Sequence, residues 1–324
     1  MKETTEQIFS EGTKNENLVL SVFQHQYKEN KVYSRWVDAL NIFPEKINTL
    51  TDIPFFPISF FKTNKIVCGD FVPQQIFESS GTTATGNSRH FVKDIDIYKR
   101  SFVSGFEIFY GDIKNWCVIG LLPSYFERKN SSLIMMVEEM IKISSHPQSG
   151  FYLYDFDKLY NTLQQLENAG QKTLLIGVSF ALLDFSEIYS MNLQHTIVME
   201  TGGMKGRRKE LTRPELHDFL TKKLGVNKIH SEYGMTELLS QAYSKGNGKF
   251  VCPPWMQVVV RDEEDPMQVK IYGKGVLNII DLANFYSCSF IATEDVGIVN
   301  EDGCFEVWGR LDNSDIRGCS LLVV

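Results

Sequence analysis

No stretch of this sequence approaches the roughly 20 consecutive apolar residues of a membrane-spanning helix, so no span is expected. Six cysteines occur, at positions 68, 117, 252, 288, 304 and 319, and none forms a C-x-x-C pair. Zinc-knuckle and thioredoxin-like sites are therefore not expected. Positive charge is in deficit: 33 Lys and Arg stand against 40 Asp and Glu, a formal net charge of −7. That balance argues against a nucleic-acid or anionic-membrane surface. The opening MKETTEQIFSEG is polar and acidic, unlike a secretory leader. The expectation is a cytoplasmic protein with free thiols. There is no internal repeat and no low-complexity segment. The phosphate-loop pattern G-x-x-x-x-G-K-[ST] is also missing.

What is present is ordinary globular composition, 43% apolar and 23% charged over 324 residues, enough chain for a core that needs no staples. The 23 Phe are unusual. Those near 55–61 and 102–109 either fill that core or shape a pocket. Residues 1–75 read as a helical and extended region packed on the rest. Apolar positions such as Leu18, Val19, Val22 and Phe23 recur near helical spacing, and IPFFPISFFK, with two prolines, reads as extended connection rather than helix. From 76 to 250, strands alternate with helices. QQIFESS is a buried strand entering a Ser/Thr/Gly loop. WCVIGLLP, TLLIGVS and HTIVMETGG are apolar strands, buried on both faces. SSLIMMVEEMIKI and PELHDFLTKKLG are helices with Ser, Pro and Gly at their ends. This alternation predicts an α/β fold, mainly parallel sheets flanked by helices. From 251 to 324, short strands separated by turns predict a smaller, mostly antiparallel β-rich subdomain.

Three constellations carry chemistry. The first, Glu78 to Arg89, is Glu-Ser-Ser-Gly-Thr-Thr-Ala-Thr-Gly-Asn-Ser-Arg. Glycines let backbone N–H groups approach an anion, hydroxyls add donors, and Arg89 adds charge. A flexible surface loop is the alternative. The second is Ser231-Glu232-Tyr233-Gly234-Met235-Thr236-Glu237. An aromatic can stack on a base, a Thr can contact phosphate, and a carboxylate can hold Mg²⁺. A capped turn before a helix would look the same. The third joins Thr293-Glu294-Asp295-Val296-Gly297 to Gly309-Arg310-Leu311-Asp312. A buried carboxylate can accept bonds from the two hydroxyls of a ribose, although two ordinary hairpin turns also fit.

Taken in order, the three sets resemble the core motifs of the adenylate-forming superfamily, which includes acyl- and aryl-CoA ligases. The resemblance covers roughly residues 75–320. It implies that the loop Ser79, Ser80, Gly81, Thr82, Thr83, Thr85 and Gly86 holds the ATP β- and γ-phosphates. The loop is one residue longer than the family's and lacks its Pro-Lys ending, so Arg89 stands in for the lysine. Thr201, Gly202 and Gly203 of IVMETGG would flank adenine. Tyr233, Gly234 and Met235 belong to a complete Y-G-x-T-E motif. In that motif the aromatic packs on adenine, Thr236 contacts the α-phosphate or acyl carboxylate, and Glu237 binds Mg²⁺. Asp295 matches the ribose-binding Asp. Arg310 and Asp312 match G-R-x-D, with the Arg toward ribose and the Asp at a hinge.

In the full-length family a small C-terminal lid carrying a lysine follows G-R-x-D. This sequence ends at Val324 with no Lys after Arg310, so the lid is either cut off or dispensable. The chain further resembles the short acyl-protein synthetases of the LuxE type, through Phe77 to Thr83 and through Leu122-Pro123-Ser124-Tyr125 with Arg128 and Ser131-Ser132-Leu133. That resemblance implies ATP- and Mg²⁺-dependent activation of a carboxylic acid, with a fatty acid foremost, as acyl-AMP. Transfer to a cysteine near the C-terminus and then to a partner, an acyl-CoA reductase-like protein or an acyl carrier protein, would follow. Cys319 is placed to be that acceptor, a thiolate being a good acyl acceptor. A buried terminal cysteine is the alternative. Tyr125, Arg128 and Ser131 would line the acyl or phosphate side, or simply begin a helix. Two other functions stay open: an acyl- or aryl-CoA ligase or carrier-loading enzyme, and a degenerate homologue that only binds nucleotide or a partner.

Overall fold

The computed structural model describes residues 2–79, 86–123, 130–202 and 211–311. Three helices open the chain: α1 (Lys2–Glu11), α2 (Glu16–Glu29) and α3 (Lys31–Ala39). Asn15 caps α2 by accepting from the Leu18 amide, and Asn30 caps α3 by accepting from Val32 and Tyr33, satisfying donors a helix start leaves open. The buried face of α2 carries Leu18, Val19, Val22 and Phe23. Two buried polar side chains tie these helices to distant chain. Gln26 Nε2 donates to the carbonyls of Asn284 and Phe285, and Asn30 Nδ2 donates to that of Ser287.

The segment expected to be extended is only partly so. A short strand β1 (Phe56–Pro57) leads into a five-residue 3₁₀ helix, Ile58–Lys62. Pro57 fixes the turn into it and forfeits only a donor that a helix start leaves unpaired anyway. The strand before the hydroxyl loop also differs from expectation. β2 (Gln75–Glu78) pairs only with β3 (Arg89–Val92), as a separate antiparallel ribbon. Phe77 is its one buried residue, packed edge-on against Tyr98. A two-stranded ribbon covers one face only, so β2 is half-buried rather than buried.

The rest forms one 13-stranded mixed sheet. Its parallel half contains β4 (Cys117–Leu121), β5 (Gly150–Phe151), β6 (Thr173–Val178), β7 (Thr196–Thr201) and β8 (His230–Tyr233), in the order β5-β4-β6-β7-β8. Every residue of β4 and β6 is buried. The helices α4 (Ile95–Tyr110), α5 (Ser132–Ser144), α6 (Phe156–Asn168), α7 (Ser179–Ile188) and α8 (Arg213–Leu224) accompany these strands. The α8 ends follow the sequence closely: Thr212 and Glu215 form a reciprocal capping box, and Gly225 closes the helix in the left-handed region.

The sheet then turns antiparallel. β9 (Ala242–Ser244) pairs with β8, and β10 (Phe250–Val251) pairs with β9. Beyond β10 the order runs β15 (Phe305–Arg310), β14 (Phe290–Val299), β13 (Gly273–Asp281), β11 (Met256–Arg261) and β12 (Val269–Lys270). β1 adds to β14 in parallel, Phe56 beside Ile291. Many of the phenylalanines lie in the core: Phe23, Phe56 and Phe290 pack edge-on or stacked around Tyr33, Phe102 packs on Tyr98, and Phe106 packs on Trp116 and Tyr243. No helix among the described residues is long and apolar enough to cross a membrane.

Candidate active site

The parallel strands β7 and β8 end at Thr201 and Tyr233, the edge at which open α/β sheets bind ligands. Gly202 follows with φ +62°, a conformation that favours a residue without Cβ. The Tyr233 ring packs against Phe250 and Phe305, and its hydroxyl donates to Asp295 Oδ2 at 2.7 Å. Arg310 Nε donates to the other oxygen, Oδ1, at 2.9 Å, and its guanidinium lies 3.7 Å from Glu294. The pairing of β14 with β15 sets Asp295 opposite Arg310. A register shift at Val296/Gly297 accompanies it. There a Cβ on Gly297 would lie 1.9 Å from the Glu306 carbonyl oxygen, so no side chain fits.

The turn after Tyr233 is held from beneath. Asp281, fully buried, accepts from the amides of Leu239 and Ser240 and from the Ser240 hydroxyl at 2.6–3.0 Å. Asn284 Nδ2 donates to the Glu237 carbonyl at 2.7 Å. From the ribbon, His90 Nδ1 donates to the Thr236 carbonyl at 3.0 Å. The Glu237 side chain is buried, and its Oε2 has no hydrogen-bond partner among the described residues. An uncompensated buried carboxylate oxygen is costly. Glu237 borders a groove of about 290 Å³, open to solvent, lined also by Ile58, Ser59, Lys62, Ser88, Glu294 and Arg310. A residue from each of the three sequence constellations therefore meets there.

The ends of the hydroxyl-rich loop are fastened together. The Ser79 amide donates to the Ser88 carbonyl, and Ser79 Oγ accepts from the Ser88 amide. Gly86 is exposed with φ +86°. Ser80, Gly81, Thr82, Thr83 and Thr85 lie outside the described residues, as do Tyr125, Arg128, Gly203, Asp312 and Cys319. Arg89 does not line the groove. It is exposed at the start of β3 and lies over the Phe91 ring, its centre 5.7 Å from the centroid, while the intervening His90 is buried. Strand alternation puts Arg89 and Phe91 on one face and His90 on the other. Ser131 caps α5, accepting from the Ile134 amide. Gly234, Met235 and Thr236 are exposed or half-buried in the turn.

Burial shapes the electrostatics. It pushes the Glu232 carboxyl up to about 7, although Thr201 donates a hydrogen bond to it. It pushes Asp281 up to about 6 against its several donors, and His90 down to about 4, so that imidazole is neutral at pH 7. Five cysteines lie among the described residues, all unpaired. Burial raises Cys117 to about 11 and Cys288 to about 12, and it also raises Cys68, Cys252 and Cys304. Lys62, His90, Glu232, Asp281 and Glu294 were not singled out from sequence. Only Glu232 and Glu294 sat inside a recognised motif. Lys62 and Asp281 reach the site through the fold alone.

The model of the family "Acyl-protein synthetase, LuxE" matches residues 6–324. A long-chain-fatty-acid–luciferin-component ligase of Aliivibrio fischeri is 24% identical over 334 residues, spanning 94% of this chain and 86% of that protein. Its namesake in Vibrio harveyi is 22% identical over 330 residues, spanning 94% and 85%. Among solved structures, ATP-bound MatB from Rhodopseudomonas palustris aligns with a TM-score of 0.55 at 15% identity, over 74% of this chain and 49% of its own. The O-succinylbenzoate coenzyme A synthetase MenE from Bacillus subtilis, in complex with AMP, aligns at 0.50 and 15%, over 74% and 50%. The chain thus spans about half the length of these structures, and its fold is that of their N-terminal, adenylate-forming part. With the family match running across nearly its whole length, the chain belongs to the LuxE family of acyl-protein synthetases and is by that membership a ligase.

Proposed function

We propose that this protein activates a fatty acid as its acyl-adenylate and passes the acyl group to the thiol of Cys319, from which a partner protein takes it. The observation that carries the adenylation reading is the groove. Glu237, Ser88 and Arg310 line it together, and Arg310 belongs to the hydrogen-bonded set Tyr233–Asp295–Arg310. The carboxylate of the acid attacks the α-phosphorus of ATP, and pyrophosphate leaves with the bonding electron pair. Such a step asks mainly for positioning and charge neutralisation.

In this reading Asp295, whose oxygens keep acceptor capacity beside their two donors, receives the ribose hydroxyls. Tyr233, Thr201, Gly202 and Gly203 border adenine. The loop Ser79–Gly86 cradles the outer phosphates. Thr236 reaches the α-phosphoryl or the acyl carboxylate. Mg²⁺ would be held by Glu237, whose buried, partnerless Oε2 suits a hard cation. No cluster of three or more metal-ligating side chains exists among the described residues, which fits an ion that takes one carboxylate plus phosphates and water. When bound it neutralises phosphate charge. The names of the relatives support a long-chain acid, and the raised thiols of the five described cysteines support Cys319 as acceptor. The partner is an acyl-CoA reductase-like or acyl carrier protein.

The test has two arms. Acid-dependent exchange of pyrophosphate into ATP, scanned over fatty and aromatic acids, should peak with a long aliphatic chain. Absence of acid-dependent exchange across all of these acids would overturn adenylation. Separately, labelled acid with ATP and Mg²⁺ should leave a hydroxylamine-sensitive label on the protein. Label that persists in Cys319→Ser, or AMP release that requires coenzyme A, would overturn the acceptor.

A further inference from the structure

The groove contains a cation that no motif announces. We propose that the Lys62 ammonium is the fixed positive charge that holds the polyphosphate of ATP in this groove and neutralises the departing pyrophosphate, the task the sequence had left to Arg89. This rests on the adenylation reading above. Lys62 lines the groove together with Ser88, Glu237 and Arg310, whereas Arg89 lies on the opposite face of its ribbon over Phe91. Arg310 is already engaged with Asp295 at 2.9 Å and near Glu294 at 3.7 Å.

Lys62 is also held where that task requires. It ends the 3₁₀ helix Ile58–Lys62, which leaves β1 directly after Pro57. β1 pairs with Ile291 and Ala292 of β14, the strand that goes on to carry Asp295. The preceding residue, Phe61, is fully buried and packs edge-on against His90, 6.0 Å between centroids. His90 in turn donates to the Thr236 carbonyl. The backbone under Lys62 is thus fixed to both sides of the groove, and only its flexible stem has to move. During adenylation the bond from the acid's oxygen to the α-phosphorus forms and the bond to the β-phosphate oxygen breaks. The electron pair goes to pyrophosphate, no proton is transferred, and Lys62 keeps all of its own.

The experiment compares Lys62→Ala and Lys62→Arg with Lys65→Ala. Lys65 is an exposed neighbour lying over the outward-facing Phe91 ring, so it controls for charge without touching the groove. Two readouts are needed: acid-dependent ATP–pyrophosphate exchange, and calorimetric binding of pyrophosphate with Mg²⁺. Lys62→Ala should lose about 10²-fold in exchange kcat, with a smaller rise in the KM for ATP, and should bind pyrophosphate at least tenfold more weakly. Lys62→Arg should recover much of both, and Lys65→Ala should match the parent. A Lys62→Ala protein within twofold of the parent in both readouts overturns the proposal, as does a folded Lys62→Arg no better than Lys62→Ala. If the parent itself shows no exchange, the adenylation reading fails while pyrophosphate binding still decides the role of Lys62. Should Lys62→Ala not fold, Lys62→Gln replaces it in both assays.

Discussion

The Tyr233 hydroxyl donates to Asp295 across 62 residues of chain, and it does so inside the protein, where Asp295 is buried beside Arg310. Removing that one donor leaves a buried carboxylate with a single partner. Tyr233→Phe keeps the ring between Phe250 and Phe305, so packing is preserved and only the hydrogen bond is lost. The expected cost is about 1–3 kcal/mol, the range for leaving a buried polar group without its partner, read from urea unfolding. If Asp295 also holds the ribose, the KM for ATP should rise in the same variant.

Glu237 makes the opposite prediction for stability. Its Oε2 is buried without a hydrogen-bond partner among the described residues, so the folded protein bears the cost of that unsatisfied oxygen whenever no cation is bound. Glu237→Gln keeps the shape and removes the charge. The metal-free variant should melt no lower than the parent, and higher if the cost is large. Exchange activity should fall by about 10²-fold, and the stabilisation that Mg²⁺ with ATP confers on the parent should shrink. A variant that is both destabilised and active would contradict the assignment.

The difference between these two residues shows what sequence can convey. β4, β6 and β7 are legible because a strand buried on both faces reads as a near-continuous apolar run, with polar residues only toward the ends of β6 and β7, and α8 because Pro214 and Gly225 mark its ends. α6 goes unread in the sequence, although Leu159, Leu163 and Leu166 stand at helical spacing after the Asp155 cap. Tyr233, Asp295 and Arg310 could be nominated because each sits in a short motif. The hairpin partner β3 could not be read, since its first residue, Arg89, closes the Ser/Thr/Gly stretch and the three that remain carry too little alternation to separate strand from loop. Nor could Lys62 or Asp281. One lies in a Pro- and Phe-rich connector, the other at the end of an ordinary apolar strand, and each gains meaning only from elements that topology brings beside it.

Glu232 should make stability depend on pH in an unusual direction. Burial raises its carboxyl from 4.5 to about 7, so between those values the folded state binds a proton that the unfolded chain has released. Its contribution is fully present below about 4.5 and lost as pH rises through 7. The shift corresponds to roughly 3 kcal/mol as an upper figure. Glu232→Gln cannot ionise. Its stability relative to the parent should therefore climb between pH 5 and 8, as measured by urea midpoints across that range. A constant difference would mean that Glu232 does not titrate there. His90, held down to about 4 by burial, acts oppositely and is common to both proteins, so the comparison cancels it.

Asp281 connects this electrostatics to the groove. It is the acceptor for the amides of Leu239, Ser240 and Ala283 and for the Ser240 hydroxyl, and thereby fixes the backbone immediately after Glu237. Asn at this position keeps one accepting oxygen but turns an N–H₂ toward groups that are themselves donors. Asp281→Asn should cost about 2–4 kcal/mol by leaving buried donors unpaired. The loss should be local as well as global: the Leu239 and Ser240 amides should exchange hydrogen faster than those of β6, where the parallel core is untouched. With its supporting turn loosened, Glu237 would no longer be presented at a fixed point. Exchange kcat should drop more than tenfold, with a weaker dependence on Mg²⁺ concentration. An Asp281→Asn protein of parental activity would mean that Glu237 is held by Asn284 and His90 alone.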